Sequence, residues 1–144
     1  MHIRDASDAD AEVVVELVQE LAESAGESSA ITTENVISYL STPGSAILLA
    51  EEDGQVIGLL SYATRPNLYH AAPSCVIEEL IVCRAARGRG VGGALLHAVL
   101  DRARAADCAE VSISAMPDNA RAIALYKRLG FTDEAVLLEQ HMGA

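Results

Sequence analysis

Apolar and polar residues alternate along the first part of the chain with the period of an amphipathic helix. Apolar side chains recur at three- and four-residue spacing from Val14 to Leu21. Ser7, followed three residues later by Asp10, forms a capping-box-like start signal. The pattern therefore predicts a first helix that begins at Ser7, after a short strand over residues 2–6.

The middle of the chain has the pattern of one short helix followed by strands. A helix is predicted over residues 33–40, because a Pro-Gly pair soon after it favours a stop. Two apolar runs then flank Asp53-Gly54, a dipeptide that favours a tight hairpin. The strands predicted in this part cover residues 46–52, 55–62 and 75–83.

The last part of the chain predicts helices that alternate with strands. A helix is expected over residues 92–106 and a strand over 110–115. Asp118 or Asn119 is expected to cap a further helix that ends at Gly130. The element order β-α-α-β-β-β-α-β-α-β-β indicates a mixed α/β sheet. Its two closing strands are predicted over residues 132–135 and 136–142.

Length and charge narrow the class of protein. A chain of 144 residues fits one domain, 1–144, that buries a core without disulfide or metal staples. The net charge of −11 argues against a nucleic-acid partner, because phosphate contacts need a basic face. Residues 1–83 hold 14 acids and 2 bases, whereas residues 84–144 hold 7 acids and 8 bases. This asymmetry suggests that the two parts meet different partners.

Targeting, membrane and metal-binding signals are not found in the sequence. The chain has no run of 18 apolar residues and no apolar signal region at its N-terminus, so no membrane partner is expected. The three cysteines are widely spaced and form no CxxC pair, so we expect neither a disulfide nor a bound metal. They predict small buried thiols in a reducing, cytoplasmic compartment: Cys75, Cys83 and Cys108.

The most informative segment is a glycine-rich turn between a predicted strand and a predicted helix, which we call the glycine turn (residues 87–93). Glycine permits positive φ and lets backbone N–H groups approach an anion, and a helix N-terminus adds partial positive charge. Arg84, Arg87 and Arg89 add side-chain charge. The turn lacks the Gly-Lys pair of a Walker A loop, and it follows too many strands for a dinucleotide-binding fingerprint. It therefore predicts a pyrophosphate cradle.

A second segment lies about 30 residues further on, and the two together resemble a known family. They resemble the signatures of the GNAT superfamily of acetyl-CoA-dependent N-acetyltransferases. The element order also fits, so the resemblance covers nearly the whole chain and implies the GNAT fold, a mostly antiparallel central sheet flanked by helices. Its first signature, Gln/Arg-x-x-Gly-x-Gly/Ala, is matched by Arg87, Gly90 and Gly92, and its second by Asn119, Tyr126, Gly130 and Phe131.

The resemblance implies how acetyl-CoA is held. In this family the strand before the glycine turn separates from its neighbour, and the pantetheine arm lies in the gap. The backbone of Leu80, Ile81 and Val82 is then expected to pair with that arm, and Asn119 to hydrogen-bond it. Tyr126 is expected to lie near the sulfur and to protonate the departing thiolate. The pyrophosphate is expected to bind the amides of Arg87, Gly88, Arg89, Gly90, Val91, Gly92 and Gly93.

Glu78 and Glu79 are adjacent acids in an apolar strand, which is costly unless they face a polar cleft. An amine at neutral pH is mostly ammonium, so its attack on a thioester needs a base. Strand alternation predicts that the two side chains point to opposite faces. In polyamine-acetylating relatives the acid at the position of Glu78 resembles the base. We therefore expect Glu78 to be the base and Glu79 either to orient the amine or to hold the structure; internal salt bridges of both are the alternative.

The acidic first part of the chain favours a small cationic acceptor such as a polyamine, an aminoglycoside or an amino-acid derivative. Candidate acceptor contacts are Glu78, Tyr62 and Tyr69, with His70 in the same loop. The closing segment resembles strands that help to build dimers in the family, which leaves a homodimer open. Two alternatives remain. One is an acetyltransferase of protein N-termini or lysines. The other is a non-catalytic acyl-CoA-binding domain, which would keep the glycine turn without needing Tyr126 or Glu78.

Overall fold

The structure is a computed structural model that describes residues 1–143. One compact unit, Met1–Ile113, contains a five-stranded sheet and three helices, and a second unit begins at Ser114. The expectation of one domain over 1–144, which includes Ala144 outside the described residues, remains a prediction. The strands are β1 His2–Asp5, β2 Ser45–Glu52, β3 Gln55–Asn67, β4 Ala72–Val82 and β5 Glu110–Ile113. The helices are α1 Ala11–Ser24, α2 Thr33–Ser41, α3 Val91–Ala105 and, in the second unit, α4 Ala120–Arg128.

The sheet has the strand order β1-β2-β3-β4-β5. Its first three pairings are antiparallel, and β4 pairs with β5 in parallel. The turn at Asp53-Gly54 joins β2 to β3 as the sequence predicts. The prediction of a mixed α/β fold with a mostly antiparallel sheet is therefore confirmed.

Helices cover both faces of this sheet. On one face, buried side chains of α1 and α2 pack with Leu49 and Leu59 of the sheet. On the other face lies α3, whose Leu95 is fully buried. The approach of α3 is close: a Cβ added at Gly58 would lie 3.0 Å from Val91 Cγ1. This packing fixes the start of α3, and with it the glycine turn, against the end of the sheet.

The N-terminus of α1 is built from a charged cluster. The N–H of Ser7 donates to Asp10 Oδ2 over 2.8 Å, as the capping-box prediction requires, although a 3-10 turn precedes the α-helix proper. Arg4 donates to both carboxylate oxygens of Asp10 over 2.9 Å, and its Nε donates to Glu51 over 2.7 Å. The Arg4 guanidinium is the main reason that the pKa of Asp10 falls from 3.8 to about 2.

Replacement of Asp10 by Asn is expected to destabilise the fold in a pH-dependent way. Because the folded pKa lies below the unfolded value, the stabilisation is complete above pH 3.8 and is lost as the pH falls towards 2. We expect a loss of about 1 kcal/mol at pH 7, since solvent screens the partly exposed Arg4. Urea unfolding at pH 7 and pH 2.5 measures this difference. Asp8→Asn, an exposed acid of the same turn, is the control, and an equal loss at both pH values would contradict the assignment.

The two predicted closing strands are wrong. Residues 131–143 contain no strand in the structure. The apolar side chains that led to the prediction are exposed: Val136 is 84% and Leu138 is 87% exposed. The strand preference of such residues depends on packing against a neighbouring strand. In the described part of the second unit no such neighbour pairs with this segment, so it stays irregular.

Candidate active site

A β-bulge lies at the two predicted acids. Ser61 of β3 pairs with Glu79, and the next residue of β3 pairs with Ile77, so Glu78 is the extra residue of β4. A bulge interrupts the alternation of side chains and re-aims one of them. The prediction that the two acids point to opposite faces is therefore wrong, because Tyr39 of α2 contacts the Glu78 carboxylate and lines one cavity together with Glu79.

Tyr39 connects α2 to the bulge. Its hydroxyl lies 3.1 Å from the carbonyl oxygen of Tyr62 and 3.3 Å from Glu78 Oε1, so its single proton is shared between these two acceptors. Burial, followed by the charges of Glu78 and Glu79, raises the pKa of Tyr39 well above its usual value. The phenol therefore stays protonated and remains a hydrogen-bond donor to the Glu78 carboxylate.

Ser61 fixes Glu79. The N–H of Glu79 donates to Ser61 Oγ over 2.9 Å, and Ser61 Oγ donates to the Glu79 carboxylate. Ser61 is only 3% exposed, so this pair is anchored in the sheet. Neither Glu78 nor Glu79 forms an ion pair within residues 1–143, which argues against the alternative of internal salt bridges.

The sequence did not single out Tyr39 or Ser61. Tyr39 is 39 residues from Glu78 along the chain, and Ser61 is 18 residues from Glu79. Both contacts depend on the register of β3 against β4 and on the seating of α2, for which the local pattern holds no signal.

Two candidate acceptor contacts lie away from the carboxylates. The ring of Tyr62 is 8% exposed and lies near Arg102 of α3, so it faces the other side of the sheet. Tyr69 is 92% exposed at the tip of the β3–β4 hairpin, where its ring packs edge-on against His70 with centroids 5.1 Å apart. The structure places neither ring beside the Glu78 carboxylate.

The strand before the glycine turn has a free edge. The parallel ladder between β4 and β5 ends at Ile77 and Ile113, whereas β4 continues to Val82. Residues 79–82 remain paired with β3 on one side, and within residues 1–143 no strand pairs with their other side. This edge offers backbone donors and acceptors to an extended ligand. The pairing of Leu80, Ile81 and Val82 with a pantetheine arm remains a prediction.

The glycine turn adopts a backbone that glycine favours. Gly88 has φ +80° and Gly90 has φ +82°, and a Cβ at either position would have open space around it. The left-handed conformation, and not crowding, is therefore what calls for glycine here. Gly90 directly precedes α3 and carries no side chain to cap it. The first N–H groups of α3 are thus available to an anion.

Acids from the first part of the chain contact the region of the glycine turn. Arg89 is paired with Glu52 at the end of β2. The N–H of Arg84 donates to Glu20 of α1 over 2.9 Å, and Arg87 Nε donates to the carbonyl of Val82 over 3.2 Å. An anion that binds the turn would compete with Glu52 for Arg89.

The second unit carries the other two predicted site residues. Asn119 caps α4 as predicted, since its Oδ1 accepts from the N–H of Ala122 over 3.2 Å. Tyr126 lies on α4 with its ring edge-on to Phe131, at a centroid distance of 6.2 Å. Burial raises the pKa of Tyr126, so its phenol is protonated at neutral pH. Their roles towards a ligand remain predictions.

A family model decides the identity of the chain. The model described as the acetyltransferase (GNAT) family matches residues 13–131, which include the bulge, the glycine turn and α4. The chain belongs to the GNAT acetyltransferase family. This match confirms the resemblance drawn from the two signatures. The family uses acetyl-CoA as its co-substrate.

Known GNAT proteins resemble the chain over most of its length. It is 29% identical over 121 residues to an L-2,4-diaminobutyric acid acetyltransferase of Nocardia farcinica, covering 81% of this chain and 60% of that protein. It is 26% identical over 136 residues to the uncharacterized N-acetyltransferase YhfO of Bacillus subtilis, covering 93% and 91%. A solved structure of a putative acetyltransferase from Agrobacterium tumefaciens superposes with a TM-score of 0.88 at 26% identity, covering 99% and 100%.

The described residues fit the co-substrate of the GNAT family. A pyrophosphate needs several N–H donors, which the uncapped start of α3 supplies. An extended arm needs an unpaired strand edge, which residues 79–82 supply. Within residues 1–143 no group of three or more His, Cys, Asp or Glu side chains is arranged to hold a metal ion.

In the described part of the chain, no helix combines the length and apolarity needed to cross a membrane. All three cysteines are free thiols. Cys75 is buried, as predicted, and burial raises its pKa to about 11, whereas Cys83 and Cys108 are only partly buried.

Proposed function

We propose that the protein transfers the acetyl group of acetyl-CoA to the primary amine of a small, cationic acceptor by direct attack, with both substrates bound together. The observation that carries this proposal is the position of Glu78. It follows Ile77, the last residue of β4 that pairs with β5, so an exposed carboxylate lies where the free edge of β4 begins. An amine beside this carboxylate would meet a thioester held along that edge.

Each residue of the proposed site has a defined task. Acetyl-CoA supplies the activated acetyl thioester. Glu78 accepts the proton that the amine loses as its nitrogen forms the new bond to carbon. Glu79, held by Ser61, adds the negative charge that orients the ammonium. Tyr126 donates a proton to the thiolate as the carbon–sulfur bond breaks, and backbone N–H groups of β4 stabilise the developing oxyanion.

The acidic excess of residues 1–83 and the name of one relative support the proposal of a small cationic acceptor. Residues 1–83, which contribute both acids of the bulge, hold 14 acids and 2 bases. A surface with this excess raises the local concentration of cations. The relative from Nocardia farcinica is named for diaminobutyric acid, an amine of this class, and this chain spans 60% of its length.

Release of free thiol from acetyl-CoA tests the proposed function directly. The purified protein is mixed with acetyl-CoA and a panel of polyamines, aminoglycosides, diaminobutyrate and lysine- or N-terminus-bearing peptides. We expect thiol release with at least one small amine and a product whose mass is increased by one acetyl group. Release with peptides alone would indicate a protein acetyltransferase. Binding of acetyl-CoA without release on any amine would indicate a non-catalytic domain.

A further inference from the structure

An apolar cavity lies behind the bulge, between α1, α2 and the sheet. Its volume is about 150 Å³. Ser61 and Glu79 line it and belong to the proposed site, but the roles proposed above do not use the rest of the cavity. Its wall is aliphatic and is formed by Val14, Val18, Ile31, Val36, Ile47 and Leu59.

Four of the residues that line this cavity are polar: Asn35, Tyr39, Ser61 and Glu79. Asn35 and Glu79 are exposed, so the cavity reaches the surface beside these side chains. The hydroxyl of Tyr39 also contacts Glu78, so the mouth of the cavity lies beside both carboxylates. No lysine, arginine or histidine is among the residues that line it.

We propose that this cavity binds the apolar arm of the acceptor, a primary amine with an unbranched chain or ring of about four to six carbons. This inference rests on the proposed function and narrows its acceptor, because within the class of small cationic amines it favours monoamines over linear diamines. The ammonium would lie between Glu78 and Glu79 at the mouth, and the carbon chain would extend along the aliphatic wall. An aliphatic cavity of roughly 150 Å³ is large enough for a benzene-sized molecule.

The carboxylates at the mouth and the aliphatic wall of the cavity favour different parts of the ligand. The carboxylates at the mouth favour one positive charge there. A second ammonium at the far end of a short linear diamine would be desolvated against aliphatic side chains, which is costly. Each methylene buried against such a wall strengthens binding about fourfold. The cavity therefore favours a monoamine over the diamine of the same length.

A series of linear amines measures this selectivity. We expect kcat/KM to rise about fourfold per carbon from methylamine to pentylamine. We expect each diamine to fall at least tenfold below the monoamine of equal length. Calorimetric titration of pentylamine and methylamine in the absence of acetyl-CoA gives the same comparison without turnover.

A substitution that fills the cavity tests whether the gain in kcat/KM with chain length arises there. Val18→Phe places an aromatic ring at the wall of the cavity, and we expect it to abolish the gain in kcat/KM from methylamine to pentylamine. Leu21→Phe, at a 39% exposed position of the same helix outside the cavity, is the matched control and should keep the full gain.

Failure of the inference and failure of the proposed function give different results. Acetylation without any dependence on chain length, or with diamines preferred, would overturn the cavity assignment and leave the acetyltransferase proposal intact. An unchanged chain-length gain in Val18→Phe would also overturn it. Absence of thiol release with every amine would contradict the proposed function, and the titrations of wild-type protein would then decide the cavity assignment by themselves.

Discussion

Replacement of Glu78 by glutamine is expected to lower kcat by about 10²- to 10⁴-fold, the usual contribution of a positioned general base. Glutamine keeps the size of the side chain and still accepts a hydrogen bond from Tyr39. It has no capacity to take the proton from the ammonium. The Kd of acetyl-CoA should stay within about twofold, because the glycine turn and the edge of β4 remain intact. Steady-state kinetics with the best amine, together with titration of acetyl-CoA, measure both quantities.

Glu79→Gln is the matched control for Glu78→Gln, since it removes the neighbouring charge from the same bulge. Ser61 would still hold the amide, so we expect a raised KM for the amine with a small change in kcat. If Glu79→Gln lowered kcat more than Glu78→Gln, the two acids would have exchanged roles. Equal and small effects from both would exclude this pair as the source of the base.

The uneven charge of the sequence has a structural counterpart. One base of the glycine turn meets an acid of the first part of the chain, since Arg89 pairs with Glu52. The backbone N–H of Arg84 also donates to the Glu20 carboxylate. The carboxylates at the bulge have no such partner within residues 1–143. Uncompensated negative charge therefore lies where the amine is proposed to bind, while an anion at the turn has to displace an internal acid.

The spacing of apolar residues predicted most of the fold, because helices and strands each have a characteristic spacing. The predicted helix over 92–106 and the observed α3 differ by one residue at each end. The hairpin at Asp53-Gly54 follows from its turn residues alone. The segment after Gly130 has the apolar pattern of a strand but forms none, since apolar residues form a strand only where another strand pairs with them.

The candidate site was predictable only in part, for a related reason. The glycine turn and the cap at Asn119 are local, and the structure has both. The bulge is not local: one extra residue in β4 is defined only against the register of β3, and it turned Glu78 towards α2. The partners that hold the acids, Tyr39 and Ser61, follow from that register and were missed.

Tyr126→Phe is the second substitution with a large expected effect, about a 10²-fold fall in kcat. The thiolate that leaves needs a proton, and burial keeps the phenol of Tyr126 protonated at neutral pH. Phenylalanine keeps the ring and its edge-on contact with Phe131, and it removes only the hydroxyl. We therefore expect kcat to fall while the Kd of acetyl-CoA and the free energy of unfolding change little.

Phe131→Leu separates proton donation from packing in this pair of rings. It removes the edge-on contact and leaves the phenol of Tyr126 in the chain. We expect it to lower the free energy of unfolding with a smaller effect on kcat than Tyr126→Phe. If Phe131→Leu reduced kcat as strongly as Tyr126→Phe, the packing of α4 would account for the loss. Wild-type turnover in Tyr126→Phe would mean that another group, or water, protonates the thiolate.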